Sequence, residues 1–113
     1  MNVETININK SLIPYEFSIV LGAETFTFHI DYNNVGGFFT AGLSKNGVTL
    51  CSGTPIIYGR KLFESVWKPS FPAVDIIPLD LSNEYNKVTY DNLGKAVRLI
   101  IDNGETPLLE GNG

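Results

Sequence analysis

The side chains that could perform catalysis are few in this sequence, and they do not form a recognisable set. The single histidine, His29, alternates with threonines, and Asp31 follows two residues later on the same face of a predicted strand. We expect His29 to be solvated on the sheet face, or else a pH-sensitive contact at an interface, and its proximity to Asp31 indicates a local polar pair more than a ligand set. Catalysis would need further groups beside a lone histidine. The remaining carboxylates are dispersed, and no calcium-binding or phosphate-binding loop motif is present. The residues therefore predict no enzyme, no cofactor and no metal site.

One irregular stretch instead carries the residues typical of a protein interface. The segment from Tyr58 to Phe71, "YGRKLFESVWKPSF", contains the only tryptophan of the chain, and Pro69 within it restricts the backbone. Aromatic and arginine side chains are the usual anchors of protein interfaces. The alternative is that Trp67 closes one open end of a β core. The candidate interface residues are Tyr58, Arg60, Phe63, Trp67, Phe71 and, from a later strand, Arg98.

Composition limits the class of protein further. The chain has 113 residues, of which 43% are hydrophobic and 18% charged, as expected for one globular domain. A net charge of −4 disfavours nucleic-acid binding, which needs a basic surface. Cys51 is the sole cysteine, so an internal disulfide is excluded, and we expect it to be buried or half-buried. No apolar run approaches a membrane span and no signal peptide is apparent, which predicts a soluble domain without membrane insertion, made inside the cell.

The first half of the chain has the alternation of β-strands. "VETINI" is a weak first strand, and "YEFSIVL" and "ETFTFHIDY" form a hairpin in which Gly22-Ala23 suits a type II′ turn. "FFTAGLS" and "VTLCSG" form a second hairpin around Asn46-Gly47. Residues 15–52 are therefore predicted to be a four-stranded meander.

The second half is less regular, and its last apolar run is ambiguous. In "TYDNLGKAVRLIID", Asp91 could begin a helix, whereas the alternation of Val97, Leu99 and Ile101 indicates a strand. A chain of strands offers this run a sheet to join, so we predict a strand at Ala96–Asp102 after a turn in which Leu93 points into the core. A single helical turn around Asp91–Leu93 remains open. Further short strands are predicted at Ile56–Tyr58, Val74–Leu79 and Val88–Tyr90.

These patterns predict an all-β fold, a compact antiparallel β-sandwich or partly closed β-barrel built from meander hairpins. Residues 1–105 should form one domain, and residues 106–113 a flexible C-terminal tail. Arg98, between two inward residues, should project outward. There it could be solvated, or Asp75, Asp80 or a partner's carboxylate could pair with it. The predicted inward residues are Phe17, Ile19, Phe26, Phe28, Ile30, Leu50, Val97 and Leu99.

The order of features from Phe17 to Ile101 resembles the phage baseplate plug family of contractile-tailed bacteriophages. The first motif, "FSIVLGAETFTFHIDYNN", matches an F-x-I-x-L strand, a glycine turn and a strand of alternating aromatics that ends in Tyr-Asn. Differences from the family pattern are Phe38 where tryptophan is usual, and isoleucines where an aromatic follows V-R-L. The later matching positions are Gly37, Phe38, Leu43, Asn46, Gly47, Leu50, Ser52, Gly53, Gly59, Leu62, Asp91, Leu93, Gly94, Val97, Arg98 and Leu99.

The resemblance implies a structural virion protein in the tail baseplate, made in the cytoplasm of the bacterial host. Such a protein would pack against hub, spike or tail-tube proteins, would be oligomeric in the assembled particle, and would organise or plug the distal end of the tube. The alternative is a small β module that binds carbohydrate or peptide in a prophage or injection-system particle. A more distant alternative is an enzyme subunit whose site is completed by a partner.

Overall fold

The computed structural model describes residues 4–102, which fold into two packed antiparallel sheets. Helix is limited, in this range, to the short 3₁₀ turns Lys10–Leu12 and Glu64–Val66. The all-β prediction is confirmed, with a sandwich as its form. The predicted tail, 106–113, lies outside the described residues, as do 1–3 and 103–105 of the predicted domain. The strands are β1 (Glu4–Ile6), β2 (Tyr15–Leu21), β3 (Glu24–Asn33), β4 (Phe38–Lys45), β5 (Val48–Pro55), β6 (Asp75–Leu79) and β7 (Arg98–Asp102).

The larger sheet is the predicted meander, with the strand order β2-β3-β4-β5. Its hairpin register pairs Phe17 with Phe28, so the aromatic residues of both strands share the inner face. The turn type at Gly22-Ala23 differs from the prediction. Both residues have positive φ, 60° and 73°, which defines type I′, whereas type II′ needs a positive φ only at the first residue. Ala23 therefore occupies a conformation that favours glycine.

The core lies between the sheets, where alternate side chains of β3 and β7 belong to one hydrophobic cluster. Of the predicted inward residues, five are buried and three are half-buried against the same cluster. The half-buried residues lie on β2 and β5, the edge strands of the larger sheet, which neighbours cover less completely. The buried five are Phe26, Phe28, Ile30, Val97 and Leu99; the half-buried three are Phe17, Ile19 and Leu50.

The smaller sheet has the order β1-β7-β6, so the ambiguous last run is a central strand. β7 begins at Arg98, two residues later than predicted, because Val97 makes only an isolated bridge to Leu93. Leu93 is fully buried, as predicted, within a turn held by Asn92. The Asn92 side-chain oxygen accepts from the Thr89 N–H at 2.8 Å, and its amide donates to the Lys87 carbonyl at 3.0 Å.

Two predicted short strands are absent from the described range. At Ile56–Tyr58, Ile56 still donates its N–H to the Phe39 carbonyl at 2.9 Å, but the chain then leaves the sheet in a turn. At Val88–Tyr90 the backbone enters the turn that Asn92 organises, so no strand forms there. Val74–Leu79 is confirmed as a strand, although it begins at Asp75.

Candidate protein interface

The segment between β5 and β6 contains most of the candidate interface residues, and it is fixed to the edge of β6. The Gly59 N–H donates to the Pro78 carbonyl at 2.9 Å, and the Leu62 N–H donates to the Ile76 carbonyl at 2.8 Å. β6 is an edge strand, and it tolerates Pro78 because a backbone N–H is not needed on the side of the strand that pairs with no other strand in the described range. The segment therefore covers this sheet edge and is positioned by it.

Phe63 and Phe71 were predicted to belong to the interface, and their burial shows that they are core residues. Each is only 3% exposed. The Phe63 ring lies between those of Phe28 and Phe71, with centroid distances of 6.0 Å and 5.8 Å in edge-to-face geometry. Phe63 also has a φ of +66°, a costly conformation for a bulky residue. Burial of its ring offsets this cost and attaches the segment to the core.

Trp67 lies in the same segment but faces outward, with 53% of its surface exposed. Its indole N–H donates to the Pro72 carbonyl at 3.3 Å, which fixes the orientation of the ring without burying it. Val66 beside it is 43% exposed, and Ile57 at the start of the segment is also exposed. The sequence reasoning missed these two aliphatic residues, because single exposed aliphatics carry no pattern that separates them from core residues.

Two shallow grooves border the backbone ridge from Lys61 to Glu64. The larger, of about 210 Å³, is lined by Trp67 and by the first residues of β6. The smaller, of about 130 Å³, is lined by Ile57 and Arg60. Lys61 Nζ lies 3.4 Å from a carboxylate oxygen of Asp75 at the larger groove. We call the exposed residues around these grooves the Trp67 surface: Ile57, Arg60, Lys61, Glu64, Val66 and Trp67.

Tyr58, another predicted interface residue, is half-buried and performs a structural role. Its hydroxyl accepts a hydrogen bond from the Asp80 N–H at 3.0 Å, and its ring packs against the cluster of Ile77, Leu79 and Ile100. The residue therefore joins the segment to the outer face of the smaller sheet. Arg60, in contrast, is exposed as an interface residue would need to be.

Arg98 projects outward from β7, as predicted, but neither proposed intramolecular partner contacts it. Its Nε donates to the Lys95 carbonyl at 3.0 Å. Asp75 is paired with Lys61, and Asp80 accepts hydrogen bonds from its own loop. The possible pairing of Arg98 with Asp75 or Asp80 is therefore not observed, because both carboxylates have nearer donors. A partner's carboxylate remains a prediction.

Asp80 is the one carboxylate that the described fold buries with a full set of donors. Its oxygens accept hydrogen bonds from the Ser82 hydroxyl at 2.6 Å and from the backbone N–H groups of Ser82, Glu84 and Tyr85, each at 2.9 Å. These bonds, that of the Ser82 hydroxyl above all, hold the pKa of Asp80 below its ordinary value because they favour the charged form. The arrangement organises a loop and leaves no free oxygen pair for chemistry.

The groups considered for catalysis are not brought together. His29 Nδ1 lies 3.8 Å from a carboxylate oxygen of Glu16, its cross-strand neighbour, and Asp31 instead accepts from the Tyr32 N–H. The predicted pair of His29 with Asp31 is therefore wrong. Cys51 is half-buried, as expected, and this burial raises the pKa of its thiol. Within residues 4–102, no cluster of three or more histidine, cysteine or carboxylate side chains could hold a metal ion.

The protein is a small β-sandwich with exposed aromatic and aliphatic side chains beside one sheet edge. Residues 3–105 match the family described as cyanophage baseplate Pam3 plug gp18. The match covers most of the chain, so the protein belongs to this family of phage baseplate structural proteins, and the family resemblance found in the sequence is confirmed. A comparison with curated proteins gave no match. Between residues 4 and 102, no helix is long and apolar enough to cross a membrane.

Proposed function

We propose that this protein is a structural component of a contractile phage tail, where it packs against hub, spike or tail-tube proteins through the Trp67 surface. In this position it would organise or plug the distal end of the tube. The observation that carries the proposal is membership of the baseplate plug family over residues 3–105. The function is assembly, without catalysis or a cofactor, and the protein would be oligomeric in the particle after its synthesis in the host cytoplasm.

The Trp67 surface supports the choice of contact site. A tryptophan that is fixed by a hydrogen bond and half exposed can bury a large area in a partner at little cost in entropy. Exposed aliphatic residues extend the apolar contact, and Arg60 and Lys61 provide a polar rim. Because the segment is attached to the core through Phe63, this surface needs little rearrangement on binding.

The proposal can be tested by measuring the affinity of the purified protein for hub, spike and tail-tube proteins of the same particle. We expect Trp67→Ala to weaken the interaction by about 30-fold or more, the effect of losing an interface hot spot. The matched control is Tyr85→Ala, which removes another half-exposed aromatic side chain from a different loop. Equal affinities of the two variants for every partner would exclude the Trp67 surface. Absence of the protein from purified particles would exclude the structural role itself.

A carbohydrate- or peptide-binding role is the second candidate, because an exposed tryptophan beside a groove can stack against a sugar ring or a peptide side chain. The groove of about 210 Å³ also carries the charged pair Lys61 and Asp75 as hydrogen-bonding groups. Screening against arrays of glycans and peptides tests this role. Binding that is lost in Trp67→Ala, without any affinity for tail proteins, would favour it over assembly.

A further inference from the structure

Within residues 4–102 the two sheets have the edge strands β1, β6, β5 and β2, and the first three are protected against pairing with another chain. β1 has only three residues, and the segment that contains Gly59 and Leu62 occupies the edge of β6. β5 is distorted by register shifts against β4, contains Gly53 with a φ of +68°, and ends at Pro55. Short strands, bulges, prolines and covering segments are the usual protections of a sheet edge.

β2 has none of these protections in the described part of the chain. Its seven residues, Tyr15–Leu21, pair with β3 without a register shift, and they include no proline, glycine, lysine or arginine. β3 is the one strand that β2 pairs with in this range. The side chains of Glu16, Ser18 and Val20, on the outer face of the sheet, are exposed. This edge is therefore long, regular and suited to the addition of a further strand.

The turn between β2 and β3 determines which backbone groups point to this edge. In a two-residue type I′ hairpin the residues that flank the turn, here Leu21 and Glu24, form a hydrogen-bonded pair. Hydrogen-bonded and non-hydrogen-bonded pairs then alternate along the two antiparallel strands. Every second residue of β2 counted back from Leu21 therefore bonds to β3. The N–H and carbonyl groups of Glu16, Ser18 and Val20 point to the opposite side, along the edge.

We propose that two copies of this protein pair antiparallel through β2, with a two-fold axis between their Ser18 residues. In this register the Ser18 N–H of each copy donates to the Ser18 carbonyl of the other, and Glu16 of each copy pairs with Val20 of the other. All the backbone groups that point along the edge are then bonded. An axis at Phe17 or Ile19 would leave one of these three residues without a strand partner. The two four-stranded sheets would become one continuous sheet.

The side chains of β2 are complementary in the same register. On the inner face, Phe17 of one copy would lie opposite Ile19 of the other, and both residues are only half-buried in a single copy. Non-hydrogen-bonded pairs bring side chains closest together, so pairing would cover apolar surface that the edge leaves exposed. On the outer face, Glu16 would lie opposite Val20, so no like charges meet. The occupant that fits this edge is therefore a second copy, and the proposal does not depend on the Trp67 surface or on any tail protein.

Sedimentation equilibrium of the purified full-length protein tests for the dimer. We expect a dissociation constant of about 100 µM or below, since an interface of one strand is small. Ser18→Pro removes the central N–H without breaking the ladder with β3, and it should weaken dimerisation by about tenfold or more. Ser18→Ala keeps this N–H and is the matched control. A monomer at about 1 mM, or equal dimerisation of the Ser18→Pro and Ser18→Ala variants, would overturn the proposal.

Amide hydrogen exchange in the unaltered protein gives a test that does not depend on the folding of a variant. The Ser18 N–H should exchange about threefold more slowly at about 1 mM than at about 50 µM, because the dimer protects it and the monomer does not. The Phe17 N–H bonds to β3 in both states, so its exchange should not change and serves as the internal control. A dimer in which exchange of the Ser18 N–H is independent of concentration would place the contact elsewhere and overturn the proposal.

A cross-link tests the position of the two-fold axis. Ser18→Cys, in a Cys51→Ser background, would place two thiols on residues whose Cα atoms are about 5.5 Å apart, a separation that a disulfide can bridge. This variant should oxidise to a covalent dimer about tenfold faster than Val48→Cys in the same background. Val48 is the matched control because it is exposed on β5, the other edge strand of this sheet. Equal rates of oxidation in the two variants would overturn the proposed register.

Discussion

Two aromatic residues four positions apart, Trp67 and Phe71, should lose very different amounts of stability when they are truncated to alanine. Phe71→Ala removes a ring that is 3% exposed and packs against Phe63, and we expect a loss of about 3–5 kcal/mol in the free energy of unfolding. Trp67 is 53% exposed, so only about 100 Å² of a large ring is buried. At about 25 cal/mol per Å², reduced for a compact unfolded state, Trp67→Ala should cost about 1–2 kcal/mol.

Urea denaturation followed by circular dichroism measures both effects, because Trp67→Ala removes the only tryptophan and with it the usual fluorescence signal. With a slope near 1.3 kcal/mol per molar for a small domain, the midpoint should fall by roughly 2–4 M for Phe71→Ala and by about 1 M for Trp67→Ala. A loss for Trp67→Ala as large as that for Phe71→Ala would refute the reasoning. Trp67 would then close the end of the core, and the contact surface would have to lie elsewhere.

Three further predictions concern the turn, the buried carboxylate and the thiol. Ala23→Gly should stabilise the domain by about 0.5–1 kcal/mol in urea denaturation, because relief of the left-handed strain exceeds the entropy that glycine adds to the unfolded chain. The control Ala73→Gly, at an exposed position, should destabilise the domain. Asp80→Asn should lower the melting temperature at pH 7. Because the pKa of Asp80 is depressed in the folded state, the difference in melting temperature between the variant and the unaltered protein should shrink as the pH falls below about 3.9. At pH 8, Cys51 should react with a thiol reagent more slowly than a cysteine introduced at the exposed position of Val35, because burial raises the pKa of the Cys51 thiol. Equal reaction rates of the two thiols would contradict this prediction.

The local features of the fold were predictable from the sequence, because their signals lie within a few residues. β2 and β3 pair through a two-residue turn, and the alternation of Phe26, Phe28 and Ile30 specifies which face is buried. The turn type was missed because type I′ requires Ala23 to adopt a conformation that its side chain disfavours. The shared cluster formed by residues of β3 and β7 follows from the opposed apolar faces of the two sheets.

The non-local features were not predictable in the same way. β1 pairs with β7, so that Glu4 lies opposite Ile101, and no short-range signal in the sequence carries that information. The burial of Phe63 and Phe71 has the same origin, because their irregular segment has no period from which an inward face can be inferred. The segment as a contact site therefore stays a prediction from its composition, whereas its division into core and exposed residues required the structure.

The outer edge of β6, which pairs with no other strand within residues 4–102, links the stability of the smaller sheet to the position of the Trp67 surface. The Ile76 and Pro78 carbonyls of that edge accept the N–H groups of Leu62 and Gly59, so the segment takes the place of a further strand. An exposed sheet edge would otherwise invite pairing with another chain. Because the same hydrogen bonds hold the ridge beside Trp67, a partner that binds this surface contacts a framework already ordered by the sheet. Such a partner should therefore bind without pairing with the edge of β6, which is already occupied.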